Sequence, residues 1–442
     1  MNSRIARSLA VLTFALTTTA LANGRFPLAQ QLIVDPKAPD RLVLRATYGL
    51  LVSDDHGQSW SWICEQSIGY GGVEDPSVGT TLSGAIVVGI FDGFRRSADG
   101  GCNFSFPDSK LEGRYAVDLT VSPVDRKRVL VLTSNGVGGG QFDTRVWESL
   151  DEGLTFAQLG SELPSDLLGL TLDPAPSDAD RIYVSGIGPA GVGVFYTSTD
   201  RGQSWTPHAV PGADIQSSPF IGAVHPTEPS IVYVRTAGSG QNRLLVTQDS
   251  GASFTEVFAA QGRMLGFALS PDGGSVLLGY GDPKGGTPID PATLGLYLAS
   301  TSDHQFARIH DGPINCLTWT SAGLYACGSQ FVQGFELGFT PAALSSSSAP
   351  AFETLLKLTT VGGPLACEAS STTAPCVGLW PGLCDTLGAC EPADGGTGGP
   401  APATDDPGCD CRAPRPEGGP AAWLLAALLG TALILRRNAS RR

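Results

Sequence analysis

One eight-residue pattern, repeated along the chain, sets the strongest limit on the fold. SDDHGQSW begins at Ser53, SADGGCNF at Ser97, SLDEGLTF at Ser149, STDRGQSW at Ser198 and TQDSGASF at Thr247. A damaged copy, TSDHQF, begins at Thr301. The common core is Ser/Thr-x-Asp-x-Gly-x-x-Trp/Phe. It is carried by Ser53, Asp55, Gly57 and Trp60; by Ser97, Asp99, Gly101 and Phe104; by Ser149, Asp151, Gly153 and Phe156; by Ser198, Asp200, Gly202 and Trp205; and by Thr247, Asp249, Gly251 and Phe254. His56 and the second aspartate of the first copy do not recur. A catalytic group is needed once, whereas a fold element is needed in every repeat. Starts spaced 44 to 54 residues apart match one four-stranded unit each.

Each residue type has a local physical reason. The Asp carboxylate accepts from backbone N–H groups of a tight turn, and the Ser or Thr hydroxyl is a second local acceptor. Gly permits a backbone conformation costly for other residues. The terminal aromatic buries a large apolar surface. One recurring carboxylate is far short of the six or more oxygens that calcium takes, so no metal or cofactor is expected at these turns.

The pattern resembles the Asp-box, or BNR, repeat of sialidases, sortilin-type receptors and related β-propellers. That resemblance implies an all-β propeller in which the box is the turn between the third and fourth strands of each blade. The strand pattern agrees. Short apolar runs recur in the order LIVDP, RLVLRAT, GLLVS, SWICEQ and their counterparts. Blade two hides its first strand in DPSVGTTL. Blade six carries the insertion GDPKGGTPIDPATLG. Blade seven has lost its box but keeps NCLTWTSAGLYACGS, FVQGFELGFT and FETLLKLTT. Seven blades are therefore expected over residues 26–362, with six as the alternative.

The chain ends carry different signals. Arg4 and Arg7, the apolar run SLAVLTFALTTTALA and the small-residue site Ala20-Leu-Ala22 read as a signal peptide over residues 1–22. The ten cysteines are then an oxidising-compartment set. Cys316 and Cys327 are placed to face each other across a hairpin. Cys64 and Cys102, in neighbouring blades, would allow an inter-blade bridge. Cys367, Cys376, Cys384 and Cys390 (residues 363–390) suggest a separate two-disulfide knot; zinc is the alternative, with no histidine nearby to support it. Residues 391–408, EPADGGTGGPAPATDDPG, read as a flexible tether. Residues 409–442 hold Cys409, Cys411, the apolar run AAWLLAALLGTALIL and a cluster of arginines. The run would be about 22 Å long as a helix, short for a hydrocarbon core of roughly 30 Å. This end resembles the MYXO-CTERM sorting signal of myxobacterial surface proteins. That resemblance implies export and sorting proteases, and a protein held at the cell surface through its C-terminus. An ordinary single-span membrane anchor is the alternative.

The net charge of −14 argues against a nucleic-acid partner. No catalytic motif stands out. The Arg-Ile-Pro run of sialidases is missing, and GRFPLA is the nearest match. Arg114 and Arg263, and Arg45 and Arg235, fall at matching repeat positions, as residues in ion pairs would. Asp75, Asp118, Asp214 and Asp282 are loose carboxylate candidates for a glycosidase of the xyloglucanase type. His56, His208, His225, His304 and His310 show no metal-ligand spacing, and His225 falls where a neighbouring repeat has a turn Asp. The expectation is a surface propeller that binds an unidentified glycan or protein ligand, with a glycoside hydrolase as the alternative. Either site would lie opposite the boxes. SNGVGGGQFDTR, GIGPAGVG and the blade-six insertion are the candidate binding loops.

Overall fold

The computed structural model describes residues 27–390 except 73, 239, 282–289 and 342. The expected signal peptide, tether and C-terminal sorting segment, including Cys409 and Cys411, lie outside the described residues.

The strands fall into seven antiparallel groups in chain order. Their first strands are Ala29–Asp35, Ser77–Thr80, Ala116–Val121, Leu168–Ala175, Ser217–Val224, Arg263–Leu269 and Cys316–Thr320. Each first strand packs against the next, and the seventh against the first, so the groups close into a ring of blades: a β-propeller. Blade 2 has three full strands, and Ser105 supplies its fourth position by a bridge to Arg96. Blades 4 and 5 join into one sheet through Asp214 and Ser217.

Alternation within strands places apolar side chains between blades, and seven hydrophobic clusters fill the seven junctions. Leu130, Leu132, Leu172 and Val184, for example, meet between blades 3 and 4. The aromatic that ends each repeated turn enters the junction with the preceding blade. Trp60 packs with Tyr325 and Leu355 of blade 7, Phe104 with Ile63 of blade 1, and Phe156 edge-on to Phe94 of blade 2 at 4.8 Å.

The C-terminal part departs from expectation. Val361–Pro364 adds to the outer edge of blade 1, running parallel to Trp60–Ile63. The helix Pro375–Leu387 follows and buries Cys376, Leu383 and Leu387 in the cluster that holds Trp60 and Trp62. A left-handed Gly388 (φ 67°) stops the helix. Residues 363–390 are therefore not a separate knot, because they share the core of blade 1. The bridge between Cys64 and Cys102 also does not form. Cys64 bonds Cys376, Cys102 bonds Cys367, and Cys384 bonds Cys390. The added strand lays the tail alongside blades 1 and 2, which brings its cysteines to theirs. Cys316 and Cys327 pair directly across the first hairpin of blade 7 and are bonded, as expected. Among the described residues no helix is long and apolar enough to cross a membrane.

Candidate functional site

Because strands alternate in direction, first-to-second and third-to-fourth turns emerge on one face of the ring. Second-to-third connections and the links between blades emerge on the other.

The first face carries the five repeated turns, and they share one geometry. In the turn of blade 4, Ser198 Oγ donates to Asp200 Oδ1 (2.8 Å) and accepts from Gly202 N (2.7 Å). Ser204 gives Asp200 both its backbone N–H (2.9 Å) and its hydroxyl (2.6 Å). The same bonds link Ser53, Asp55, Gly57 and Ser59; Ser149, Asp151, Gly153 and Thr155; and Thr247, Asp249, Gly251 and Ser253. Asn103 takes the last role beside Asp99, Ser97 and Gly101. The seventh position thus always supplies a side-chain donor: Ser59, Asn103, Thr155, Ser204 or Ser253. This constraint is visible in the sequence but is absent from the eight-residue consensus above. The donors stabilise the charged carboxylates. The Ser59 hydroxyl leads in holding Asp55 down to about 2.

The glycines answer to two demands. Gly57, Gly101, Gly153, Gly202 and Gly251 all have φ between 77° and 112°. A Cβ there would also meet the preceding blade: 2.4 Å from Ile63 at Gly101, 2.6 Å from Phe94 at Gly153 and 2.7 Å from Phe195 at Gly251. His56, at the fourth position of the first turn, sets its ring against Phe339 of blade 7 at 5.3 Å. The His225 ring accepts from the Thr227 and Glu228 N–H groups at 3.3 and 3.1 Å, the work of a turn residue.

The inner strands explain Asp118. It is part of a girdle in which a side chain of one blade bonds the first strand of the next. Gln31 holds both backbone groups of Val78, and Thr171 Oγ1 accepts from Ile221 N at 2.9 Å. Asp118 accepts from Ser77 Oγ (2.9 Å), Leu119 N (2.9 Å) and Leu172 N (2.8 Å), so it ties blades 2, 3 and 4 together. Burial outweighs these donors and raises its carboxyl to about 6. Burial first, and then the Asp118 charge, push neighbouring Asp173 well above the ordinary range. A folded-state pKa above the unfolded value means the native protein binds the extra proton. Asp118 therefore stabilises the fold at acid pH, and that contribution is lost as pH rises from about 4 to about 6. Asp118→Asn is expected to flatten the fall in melting temperature across that window. An unchanged slope in thermal scans between pH 4 and 7 would show that Asp118 does not carry it.

The opposite face is built differently. Of the eleven large hydrophobic residues exposed among the described residues, seven lie there: Phe91, Tyr115, Val137, Val192, Ile215, Phe331 and Val332. Phe91, in the second-to-third connection of blade 2, is 46% exposed. Its ring lies 5.3 Å from that of Tyr115, on the link into blade 3. Glu74, buried on the link into blade 2, accepts the Phe91 N–H at 2.5 Å. Burial raises the Glu74 carboxyl to about 7 against the pull of that bond, with Asp92, Asp75 and Glu65 adding to the rise. Tyr70, 7% exposed, stands among Glu65, Arg45, Asp75 and Glu74, and its hydroxyl has no hydrogen-bond partner among the described residues.

The sequence candidates sort as follows. Arg45 pairs with Asp75 at 3.7 Å, and Arg114 with Asp143 at 3.2 Å while lying over the Trp147 ring. Arg235 donates to Met264 O at 2.7 Å, and Arg263 opens the first strand of blade 6. Asp214 caps the turn at Gln216 and Ser217, and Asp282 lies outside the described residues. SNGVGGGQFDTR is no loose loop. It continues the hairpin of blade 3, with Thr144 opposite Ser134, and turns at Gly138–Gly140 (φ 97°, 64° and 76°), because glycines admit the left-handed turn and leave both strands paired to its edge. GIGPAGVG turns through a single 3-10 segment, Pro189–Gly191. Among the described residues, Cys384, Asp385 and Cys390 are the one group close enough to share a metal, and both cysteines are in a disulfide.

No protein-family model and no curated protein matches this chain. Among solved structures it is similar to an ancestral GH74 enzyme, with TM-score 0.55 and 14% identity over 79% of this chain. The chain spans about half of that enzyme, 49% of its length. It is also similar to the β-propeller domain of Myceliophteria thermophila Cps50 (Swd1), with TM-score 0.45 and 10% identity over 69% of this chain and 94% of that one. The GH74 xyloglucanase from Xanthomonas campestris gives TM-score 0.45 and 16% identity over 62% of this chain and 44% of that one. At such identities the likeness to the ancestral enzyme establishes the class, a β-propeller, and nothing finer.

Proposed function

We propose that this protein is an exported, surface-held Asp-box propeller that binds a glycan or protein ligand on the face opposite its repeated turns. The observation that carries this is the asymmetry of the two faces. One is occupied by self-satisfied turns, and the other gathers exposed aromatic and aliphatic side chains beside acidic groups. Aromatic rings flanked by a few polar groups suit sugar rings and protein side chains alike. Export is supported by the four disulfides and by the signal-like N-terminus. Surface retention rests on the resemblance of residues 409–442 to a sorting signal.

The test is a glycan array and a set of soluble polysaccharides, probed with the purified chain and with a Phe91→Ala/Tyr115→Ala double variant. Both rings are exposed, so melting temperature should hold while binding falls about tenfold or more, the range for truncating a contact hot spot. A ligand bound equally by both proteins would reject this face.

Glu74 favours a second function, glycoside hydrolysis. A buried carboxyl raised to about 7 is what a general acid requires. Turnover of a β-glucan that disappears in Glu74→Gln would establish it over simple binding.

A further inference from the structure

A groove of about 600 Å³ runs between the fourth strand of blade 6 and two connections of blade 7. Arg308, His310 and Asp311 line it from blade 6, Val332 and Gln333 from the second-to-third connection of blade 7, and residues 346–349 from its third-to-fourth connection. The volume falls among those of small-molecule sites, roughly 300–1,000 Å³.

Its charges cancel internally. Arg308 pairs with Asp311 at 3.0 Å and also donates to Leu294 O. Burial holds His310 below its ordinary pKa. Phe352 packs edge-on against the His310 ring at 5.3 Å, and the ring hydrogen-bonds the Asp311 backbone. On the opposite wall Ser347 shares its hydroxyl with Ser345, while the hydroxyls of Ser346 and Ser348 bond nothing among the described residues. Phe331, next in the chain to Val332, is 64% exposed, and Val332 is 66% exposed.

We propose that this groove, which reaches the face proposed above at Val332 but lies away from Phe91 and Tyr115, is a carbohydrate site of its own and takes a neutral oligosaccharide. A hydroxyl both donates and accepts, so it can bond the imidazole that lines the groove in either tautomer. The free serine hydroxyls offer the same two-way bonding across the groove. The exposed Val332 surface suits the C–H face of a pyranose. Arg308, the one arginine or lysine among the described residues that line the groove, is paired with Asp311, which weakens any pull on an anion.

The experiment is calorimetric titration of the purified chain with cellopentaose, maltopentaose and chitopentaose, and with the anionic trigalacturonate. At least one neutral sugar should bind, and trigalacturonate should not. His310→Ala should weaken binding about tenfold. Ser348→Trp, at an exposed position, should block the groove without disturbing the core. Phe91→Ala should leave this affinity unchanged. Failure of all three neutral sugars, or equal affinity for trigalacturonate, would overturn the proposal, as would full binding by both groove variants. Binding lost in Phe91→Ala but kept in His310→Ala would reject the groove and retain the opposite-face function. The reverse pattern would retain the groove and reject that face.

Discussion

A Cys64→Ala/Cys376→Ala double variant is expected to lose about 3–5 kcal/mol of stability, the range for removing a long-range native disulfide. The bond spans 312 residues, so its removal restores a very large loop to the unfolded chain. Both cysteines are buried, at 0% and 1% exposure, in the cluster of Trp60 and Trp62, and alanine leaves no polar atom in that space. The parallel strand Val361–Pro364 and the helix face of Leu383 and Leu387 remain to hold the tail. Native packing should therefore survive while the denaturant midpoint falls. Reduction of the unaltered protein should go further, because Cys102–Cys367, spanning 265 residues, opens as well. Limited proteolysis gives a second readout, since the reduced protein should release residues 363–390 first. A midpoint change below about 1 kcal/mol would mean that the tail is held by packing alone and that the covalent clasp adds little.

Arg126→Ala is expected to cost about 3–5 kcal/mol, the usual result of removing one partner of a buried ion pair. Arg126 leaves the first turn of blade 3 and bonds Asp35 of blade 1 at 2.6 Å. Its other terminal nitrogen donates to the carbonyl and hydroxyl of Thr80 in blade 2, at 2.7 and 2.6 Å. Asp35 is 4% exposed, so the variant strands a carboxylate where water does not reach it. An Arg126→Met/Asp35→Asn double variant should recover part of the loss, because it removes both charges together. Equal destabilisation of the single and double variants, measured by urea unfolding, would show that the arginine acts by filling space rather than by pairing.

The repeated turns were legible in the sequence because every bond that defines them closes within seven residues. Ser198, Asp200, Gly202 and Ser204 need no distant partner to form their hydrogen bonds, so the same letters recur wherever the turn does. The apolar runs before each turn mark the strands, and their even spacing leads to a ring of similar blades. The strand content of the degenerate seventh blade was also legible, since Cys316 and Cys327 face each other across a hairpin closed by a tight turn.

Other features depend on residues far apart in the chain. The tail cysteines look like a knot because four of them fall within a short stretch, yet two of the four disulfides, Cys64–Cys376 and Cys102–Cys367, are decided by where strands lie. Val361 reaches Trp60 only after seven blades have brought the end of the chain back to its start. Arg126 finds Asp35 91 residues away, and Asp118 reaches Leu172 54 residues on; nothing local in their sequence distinguishes them from solvated charges. The glycines of the repeated turns show the division within single residues. Their left-handed backbone is a property of the turn and could be read from the pattern. Their second requirement, that no Cβ intrude on Ile63, Phe94 or Phe195, exists only because the ring presses each turn against the blade before it. Local hydrogen bonding and strand periodicity are written in the order of the residues, whereas ring closure, buried pairing and the contrast between the two faces arise from the return of distant segments to one place.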